Sequence, residues 1–474
     1  MCPTPVPRRP RTIGILANSF GDPYSLRIAQ GAAQELTRRG DHALFFSGGF
    51  PQAPLFRDAH GLCALPRLAD GWVLLSETMR DSLADMVQAA GGTRAVSVGV
   101  DLPHLPVVGA DSETGIFQAV MHLVKRHQRK RIAFIAAPEG STDGAQRLGT
   151  YRLALESLGL YADPTLVVVG DYEARSGREA VRQLKRQRGS FDAIVAANDL
   201  MALGALEGLK AAGVRVPEEV SVVGYDDIED ASFATPGLTT VRQPLADLGY
   251  SAARLAVEAP RQNPHTDEER TVVTTPLVIR ESCGCQTTEI DRRNLPPGDE
   301  ATRTQGLREE ALRELVRREL ASSRLYRELE RLTENILRAV DYPALARAMS
   351  GVIELLGLKR FLLCTYAGGQ RHVRPTVESV GRDVVFHHQA QPFPLEQILP
   401  PGFLRGDRPV QLAIEPLEFA DEHFGYLVLE GDFKHGLAYL TLRRYLGCTV
   451  ARMAHGRELR RLYAAEKRRT EVER

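Results

Sequence analysis

The sequence predicts an α/β protein with two lobes of parallel sheet covered by helices, then a linking helix and a smaller α+β unit. Three observations predict it. From Arg11 to about Arg280, short Val/Ile/Ala-rich runs alternate with amphipathic stretches, the rhythm of strands buried on both faces between helices. The strand candidates there exceed the roughly six that one doubly wound sheet needs. After Glu281 the text turns polar, then Arg/Glu/Leu-rich, and restarts as short strands between two helices.

The strands expected in the first region are Thr12–Ala17, His42–Phe46, Gly71–Leu75, Ala95–Val98, Arg131–Ala136, Thr165–Val169, Ala193–Ala197 and Ser221–Gly224. Between them, Ser25–Arg39, Gly115–Arg126, Arg147–Leu158, Gly177–Gln187 and Asp199–Ala212 carry helical periodicity. The region 11–282 is therefore one two-lobe unit. Residues 283–306, with Pro296-Pro297-Gly298, read as a linker. In 307–340, Leu325, Leu329, Leu332 and Ile336 recur at spacings of four, three and four, an apolar seam for a partner helix. Residues 341–456 restart with a helix at Tyr342–Leu356 and strands at Arg360–Tyr366, Val384–His388, Val410–Ile414 and Gly425–Glu430. One long helix then runs from Leu437 to about Glu473, and its tail, 457–474, frays or docks on a partner.

Composition excludes several classes. Over 474 residues, 43% apolar content supplies real cores, which argues against a mainly disordered chain. Sixty Lys plus Arg balance sixty Asp plus Glu, so no global field draws in nucleic acid, and any DNA contact has to be local and weak or act through a partner. The N-terminus lacks the apolar stretch of a signal peptide, and no run of about 18 apolar residues is present. A soluble, cytoplasmic protein with no membrane contact is expected. Six cysteines at this length make no disulfide framework, which agrees with a reducing compartment.

The most informative stretch is Phe191-Asp192-Ala193-Ile194-Val195-Ala196-Ala197-Asn198-Asp199-Leu200-Met201-Ala202. A buried strand delivers Asn198 and Asp199 to its carboxyl end, where a helix begins and where open α/β sheets bind ligands. Gly213 to Asp227, with Val222-Val223-Gly224-Tyr225-Asp226-Asp227, and Pro236-Gly237-Leu238-Thr239-Thr240-Val241-Arg242-Gln243-Pro244 follow. In order and spacing these segments resemble the effector-binding core of the LacI/GalR family, whose fold is that of periplasmic sugar-binding proteins. The resemblance covers about Arg11 to Arg280.

It implies a type I periplasmic-binding-protein-like sensor in which two lobes close on a small polar effector, sugar-like or nucleobase-like, and a homodimer. Carried over residue by residue, Tyr24 falls where the family places a first-helix aromatic, and Asp101 sits at the first crossover. Arg147 matches the arginine that reaches ligand hydroxyls or carboxylates, Tyr172 an aromatic wall, and Asp199 the acid that accepts hydrogen bonds from ligand. Asn198 stands beside it, and Asn18, Phe20 and Asp22 are weaker candidates on the same rim. Plainer roles stay open: Asp199 as a helix cap, Arg147 as a surface residue, the tyrosines as core, and Asp226 and Asp227 as shapers of a turn or hinge.

LacI-type repressors carry a helix-turn-helix ahead of the first sensor strand. Here that strand starts at Thr12, so the family's usual reading head is not expected. Val278 to Cys285 resembles the end of sensor domains that bacterial proteins fuse to a GAF-like domain and an output module, and 341–456 is similar to a GAF-type domain through Phe424 to Glu430. Cys283-Gly284-Cys285 lacks the second ligand pair of a closed tetrahedral site, so no metal is expected. Cys364 reads as a small buried hydrophobe, and His387 and His388 alternate across a strand and cannot form a metal pair.

No phosphate loop, zinc-protease helix, Gly-x-Ser-x-Gly elbow or cyclase signature is present, so neither an enzyme nor a cofactor is expected. The leading expectation is a ligand sensor that passes closure through the helical segment to the GAF-like domain and a separate output protein. The competing one is a regulator acting on DNA through a partner or through Arg457, Arg460, Arg461, Lys467, Arg468 and Arg469. The acids interleaved there favour a solvated helix face.

Overall fold

The computed structural model describes residues 9–472 except 18, 48–68, 76–93, 100–101, 103–104, 188–189, 259–269, 287–322, 368–371, 381–382, 388, 405–407, 421 and 434. It divides into two compact units. The first comprises Met1–Gly109, Leu245–Thr271 and Leu320–Arg474, the second Ala110–Pro244 and Val272–Glu319. Among the described residues no helix is long and apolar enough to cross a membrane.

The second unit holds a six-stranded sheet. It uses β6 (Ile132–Ala136), β7 (Val167–Val169), β8 (Ala193–Ala196), β9 (Ser221–Asp226), β10 (Thr239–Arg242) and β12 (Leu277–Val278). Their order is β12-β10-β9-β8-β6-β7, parallel except for β12, which runs antiparallel to β10. Five helices accompany it: α2 (Ser112–His127), α3 (Thr142–Ser157), α4 (Ala174–Arg186), α5 (Asp199–Ala211) and the short α6 (Glu229–Phe233). Ile132, Phe134, Ile194, Val195 and Val222 are at most 2% exposed, as expected of strands covered on both faces. Gly177 and Gly204 let α4 and α5 touch backbone to backbone. A Cβ on Gly204 would stand 1.9 Å from the Ala174 carbonyl oxygen, and one on Gly177 would stand 2.0 Å from that of Met201.

The first unit opens with β1 (Thr12–Ala17), β2 (His42–Ser47), β3 (Gly71–Leu74), β4 (Arg94–Val98) and β5 (Val107–Ala110). They pair in parallel in the order β5-β4-β3-β1-β2, with β11 (Arg270–Val273) beyond β5. Helices α1 (Pro23–Arg39) and α7 (Leu245–Glu258) pack together where Gly31 and Gly249 face partner backbone.

The sheet does not end at β2. Gln411 to Ile414, the start of β17 (Gln411–Phe419), pair in parallel with Ala43 to Phe46 of β2. From β17 the sheet continues antiparallel through β18 (Glu422–Glu430), β13 (Arg360–Tyr366), β14 (His372–Val380) and β15 (Asp383–Phe386), and β16 (Phe393–Pro394) pairs with β14. The sequence-based division at residue 341 thus falls inside one compact unit. The main-chain hydrogen-bonding edge that β2 exposes at the end of a parallel sheet is taken up by β17 of the same unit.

Residues 323–338 are helical, and α8 (Tyr342–Leu355) and α9 (Gly436–Val472) follow. The apolar seam expected to meet a partner helix is met within the unit. Leu329 and Ile336 are fully buried, Leu332 lies against Gly351 of α8, and Thr449 of α9 donates to the Ile336 carbonyl oxygen at 3.2 Å. The start of the expected helix, 307–322, lies outside the described residues, as does most of the linker 283–306.

Candidate functional site

The carboxyl edge of the second unit's sheet gathers most of the polar residues that the sequence singled out. Strand β8 ends at Ala196, and Asn198 caps α5: its Oδ1 accepts from the Met201 N–H at 3.0 Å, and its Nδ2 donates to the Tyr172 carbonyl oxygen at 2.9 Å. Tyr172 follows β7 and is held at φ 70°, a left-handed conformation that costs a side-chain-bearing residue roughly 1–3 kcal/mol. Its hydroxyl shares a 2.6 Å hydrogen bond with the Ser141 hydroxyl, which also caps α3. The half-buried tyrosine is therefore fixed at both ends.

Arg147 extends from α3 and is only 4% exposed. Its guanidinium lies 3.8 Å from the centroid of the Tyr225 ring and donates through Nη1 to the Ala197 carbonyl oxygen at 2.7 Å, while Nη2 is 3.8 Å from Asp143 Oδ2. Burial opposes its charge, but Tyr225, Asp226 and Asp143 outweigh burial and keep the group protonated. Nε is buried with no hydrogen-bond partner. An unmet charged donor in such a place costs about 1–3 kcal/mol, which an acceptor on a ligand would return. Tyr225 in turn is fully buried and shares a 2.8 Å hydrogen bond with Ser112.

Asp199 is fully buried and both its oxygens have partners. Thr240 donates to Oδ1 at 2.6 Å and the Ile228 N–H to Oδ2 at 2.9 Å. Gly224 leaves room for this carboxylate, since a Cβ there would lie 2.1 Å from Oδ1. Burial pushes the Asp199 carboxyl up to about 8, against the Thr240 hydrogen bond. Asp226 and Asp227 follow in left-handed conformations, φ 120° and 57°, and turn the chain from β9 toward α6. Asp227 is bound by Arg280 and Arg242, both at 2.6 Å. Asp226 accepts from Gln243 at 2.6 Å, and burial raises its carboxyl to about 6 despite the attraction of Arg147.

The remaining candidates belong to the first unit. Phe20 is 8% exposed, edge-on to Phe45 in a cluster with Phe433. The Asp22 carboxylate caps α1, accepting from the Tyr24 and Ser25 N–H groups. Tyr24 is 38% exposed, and its hydroxyl lies near Gly99. Asn18 and Asp101 lie outside the described residues. A groove of about 770 Å³ in the second unit, lined by Leu206, Lys210, Val214, Phe233 and Pro236 among others, shares no lining residue with the Arg147 cluster.

Comparison with known proteins gives this edge a lineage. A profile described as a periplasmic binding protein-like domain matches residues 120–283. The HTH-type transcriptional regulator CelR of Thermobifida fusca is 36% identical over 289 residues, which cover 59% of this chain and 83% of that protein. The chain belongs to the LacI family. A second LacI-family relative, the HTH-type transcriptional repressor PurR of Aliivibrio salmonicida, is 28% identical over 263 residues, 54% of this chain and 76% of its own. A solved structure described as a transcriptional regulator CelR–cellobiose complex is 35% identical, covering 58% of this chain and 86% of that one, with a TM-score of 0.48.

Within the LacI-family region the structure brings Arg147, Tyr172, Asn198 and Asp226 to one edge, with Asp199 buried next to Asn198 at the start of α5. Sequence reasoning did not single out Tyr225 or Ser141 as part of it. Tyr225 lies within the quoted Gly224-Tyr225-Asp226-Asp227 motif, one residue past the expected strand Ser221–Gly224. Its place under Arg147 is set by β9 lying beside β8, which no local pattern reports.

Proposed function

We propose that this chain is a ligand-responsive transcriptional regulator that takes a sugar-like or nucleobase-like effector at the carboxyl edge of its second sheet. Arg147 and Tyr172 contact the effector, Asp226 offers an acceptor, and Asn198 and Asp199 position the turns that carry them. The buried Arg147 Nε without an acceptor carries this reading: a cation stacked on an aromatic ring with one donor unmet suits a hydroxyl or ring-nitrogen acceptor. The transcriptional output is supported by the relatives, which are regulators of transcription.

The reading extends to the last third of the chain. Residues 341–456 act as a GAF-like relay to an output partner, in a homodimer. The antiparallel order β17-β18-β13-β14-β15 beside two helices supports that assignment, and the β2–β17 pairing supplies a route into it that does not depend on a free helix. A relay works only if the effector binds one state better than another, with coupling of about 1–3 kcal/mol typical.

Thermal unfolding against millimolar cellobiose, ribose, other sugars, nucleosides and nucleobases tests the input. An effector at 100 times its Kd adds about 2.7 kcal/mol to the native state. One chemical class is expected to raise Tm, and Arg147→Ala and Tyr172→Ala are each expected to abolish the rise. A rise that survives both substitutions would place the effector elsewhere.

A further inference from the structure

Four soft ligands converge in the second unit, sharing no residue with the Arg147 cluster. His122 and His127 stand on α2, the latter at its last position, and Cys283 and Cys285 follow β12. The two imidazole Nε2 atoms are 3.2 Å apart. Cys283 Sγ is 3.4 Å from His122 Nε2, and Cys285 Sγ is 3.6 Å from His122 Nε2 and 3.4 Å from His127 Nε2. One donor atom of each residue lies within 4.8 Å of all the others. A tetrahedral zinc with bonds of about 2.3 Å to sulfur and 2.0–2.1 Å to nitrogen spaces its ligand atoms about 3.4 Å for N–N, 3.6 Å for N–S and 3.8 Å for S–S. These four separations lie within about 0.2 Å of those edges.

The surroundings hold this geometry in place. The helix ends as Gln128 turns left-handed at φ 54°. Gly284 at φ 112° lets the Cys-Gly-Cys turn close, and it lies so near the His127 ring that a Cβ would meet Nδ1 at 2.9 Å. The cysteine segment is tied to the sheet by Ser221, which donates to the Cys283 carbonyl oxygen at 2.8 Å, and by Ser282, which donates to the Val222 carbonyl oxygen at 2.6 Å. Cys283 is fully buried and Cys285 is 9% exposed, as suits a closed structural site.

We propose that His122, His127, Cys283 and Cys285 bind one Zn²⁺ as a structural site. Both thiols lose their protons to solvent on binding, and the ion is bound by two thiolates and two neutral imidazoles. It clips the segment that follows β12 onto α2, a long-range link in the chain that adds to the hydrogen bonds from Ser221 and Ser282.

Elemental analysis of the full chain, purified without chelator, is expected to find about one zinc per chain. After stripping, Co²⁺ is expected to give the visible bands of a tetrahedral site together with near-ultraviolet thiolate charge transfer, a readout that needs no variant. Cys285→Ser and His122→Gln, shown to be folded by circular dichroism, are each expected to lose both signals, and Cys448→Ser to keep them. Wild-type protein that takes up neither zinc nor cobalt, or equal uptake by Cys285→Ser, would overturn the site.

Discussion

Arg147, Asp199 and Asp226 form an electrostatic set whose members answer differently to pH. Burial raises the Asp199 carboxyl from 3.8 to about 8 and Asp226 to about 6, so the folded chain holds protons that the unfolded chain has released above pH 4. The native state therefore binds more protons between those values, and its stability falls as pH rises through that window. Asp199→Asn keeps an acceptor and removes the charge. Its stability relative to wild type is expected to improve between pH 5 and 8 by at least the roughly 1.4 kcal/mol of one pKa unit, measured by urea unfolding at each pH. An unchanged gap would mean that Asp199 ionises freely. Arg147→Lys keeps the charge but not the planar face on Tyr225, and effector affinity is expected to fall at least about tenfold by calorimetry.

The helices and strands that carry these residues show what local pattern can report. Continuous apolar runs such as Ile132–Ala136 and Ala193–Ala196 make those strands readable to within a residue or so. The place of Asn198 and Asp199 where a strand passes into a helix is readable too, although the cap is Asn198 and not Asp199. Less is announced for β14, where Pro375 interrupts the strand and sits at the register shift opposite Cys364. From the sequence no metal is expected at the Cys-Gly-Cys turn, because the histidines beside it, His122 and His127, lie on a helix remote in sequence and only the fold joins them. The closeness of α4 to α5 is equally hidden, since it rests on glycines with no local turn to explain them. Gly204→Ala would place a methyl 1.9 Å from a backbone oxygen. It is expected to destabilise the second unit by about 1–3 kcal/mol, seen as a lowered urea midpoint with the slope unchanged.

In the whole chain, the end of the LacI-like region is not the end of a structural unit, because β17 completes the edge of β2. That strand carries Phe45 and Phe46, and removing residues 320–474 would uncover its hydrogen-bonding edge. A chain cut to 1–286 is expected to self-associate at micromolar concentration and to unfold at lower temperature than the full chain, by light scattering and calorimetry. A monomeric fragment of unchanged Tm would show that the shared sheet contributes nothing. The proposed relay requires that effector binding at Arg147 be felt in 341–456. Hydrogen exchange with and without the effector class found by thermal shift reads this most directly. Slowed exchange is expected around 141–147, 170–174, 197–200 and 225–228, with a change in β17 at 411–419. Protection confined to other segments, with those four unaltered, would contradict the placement of the effector at Arg147.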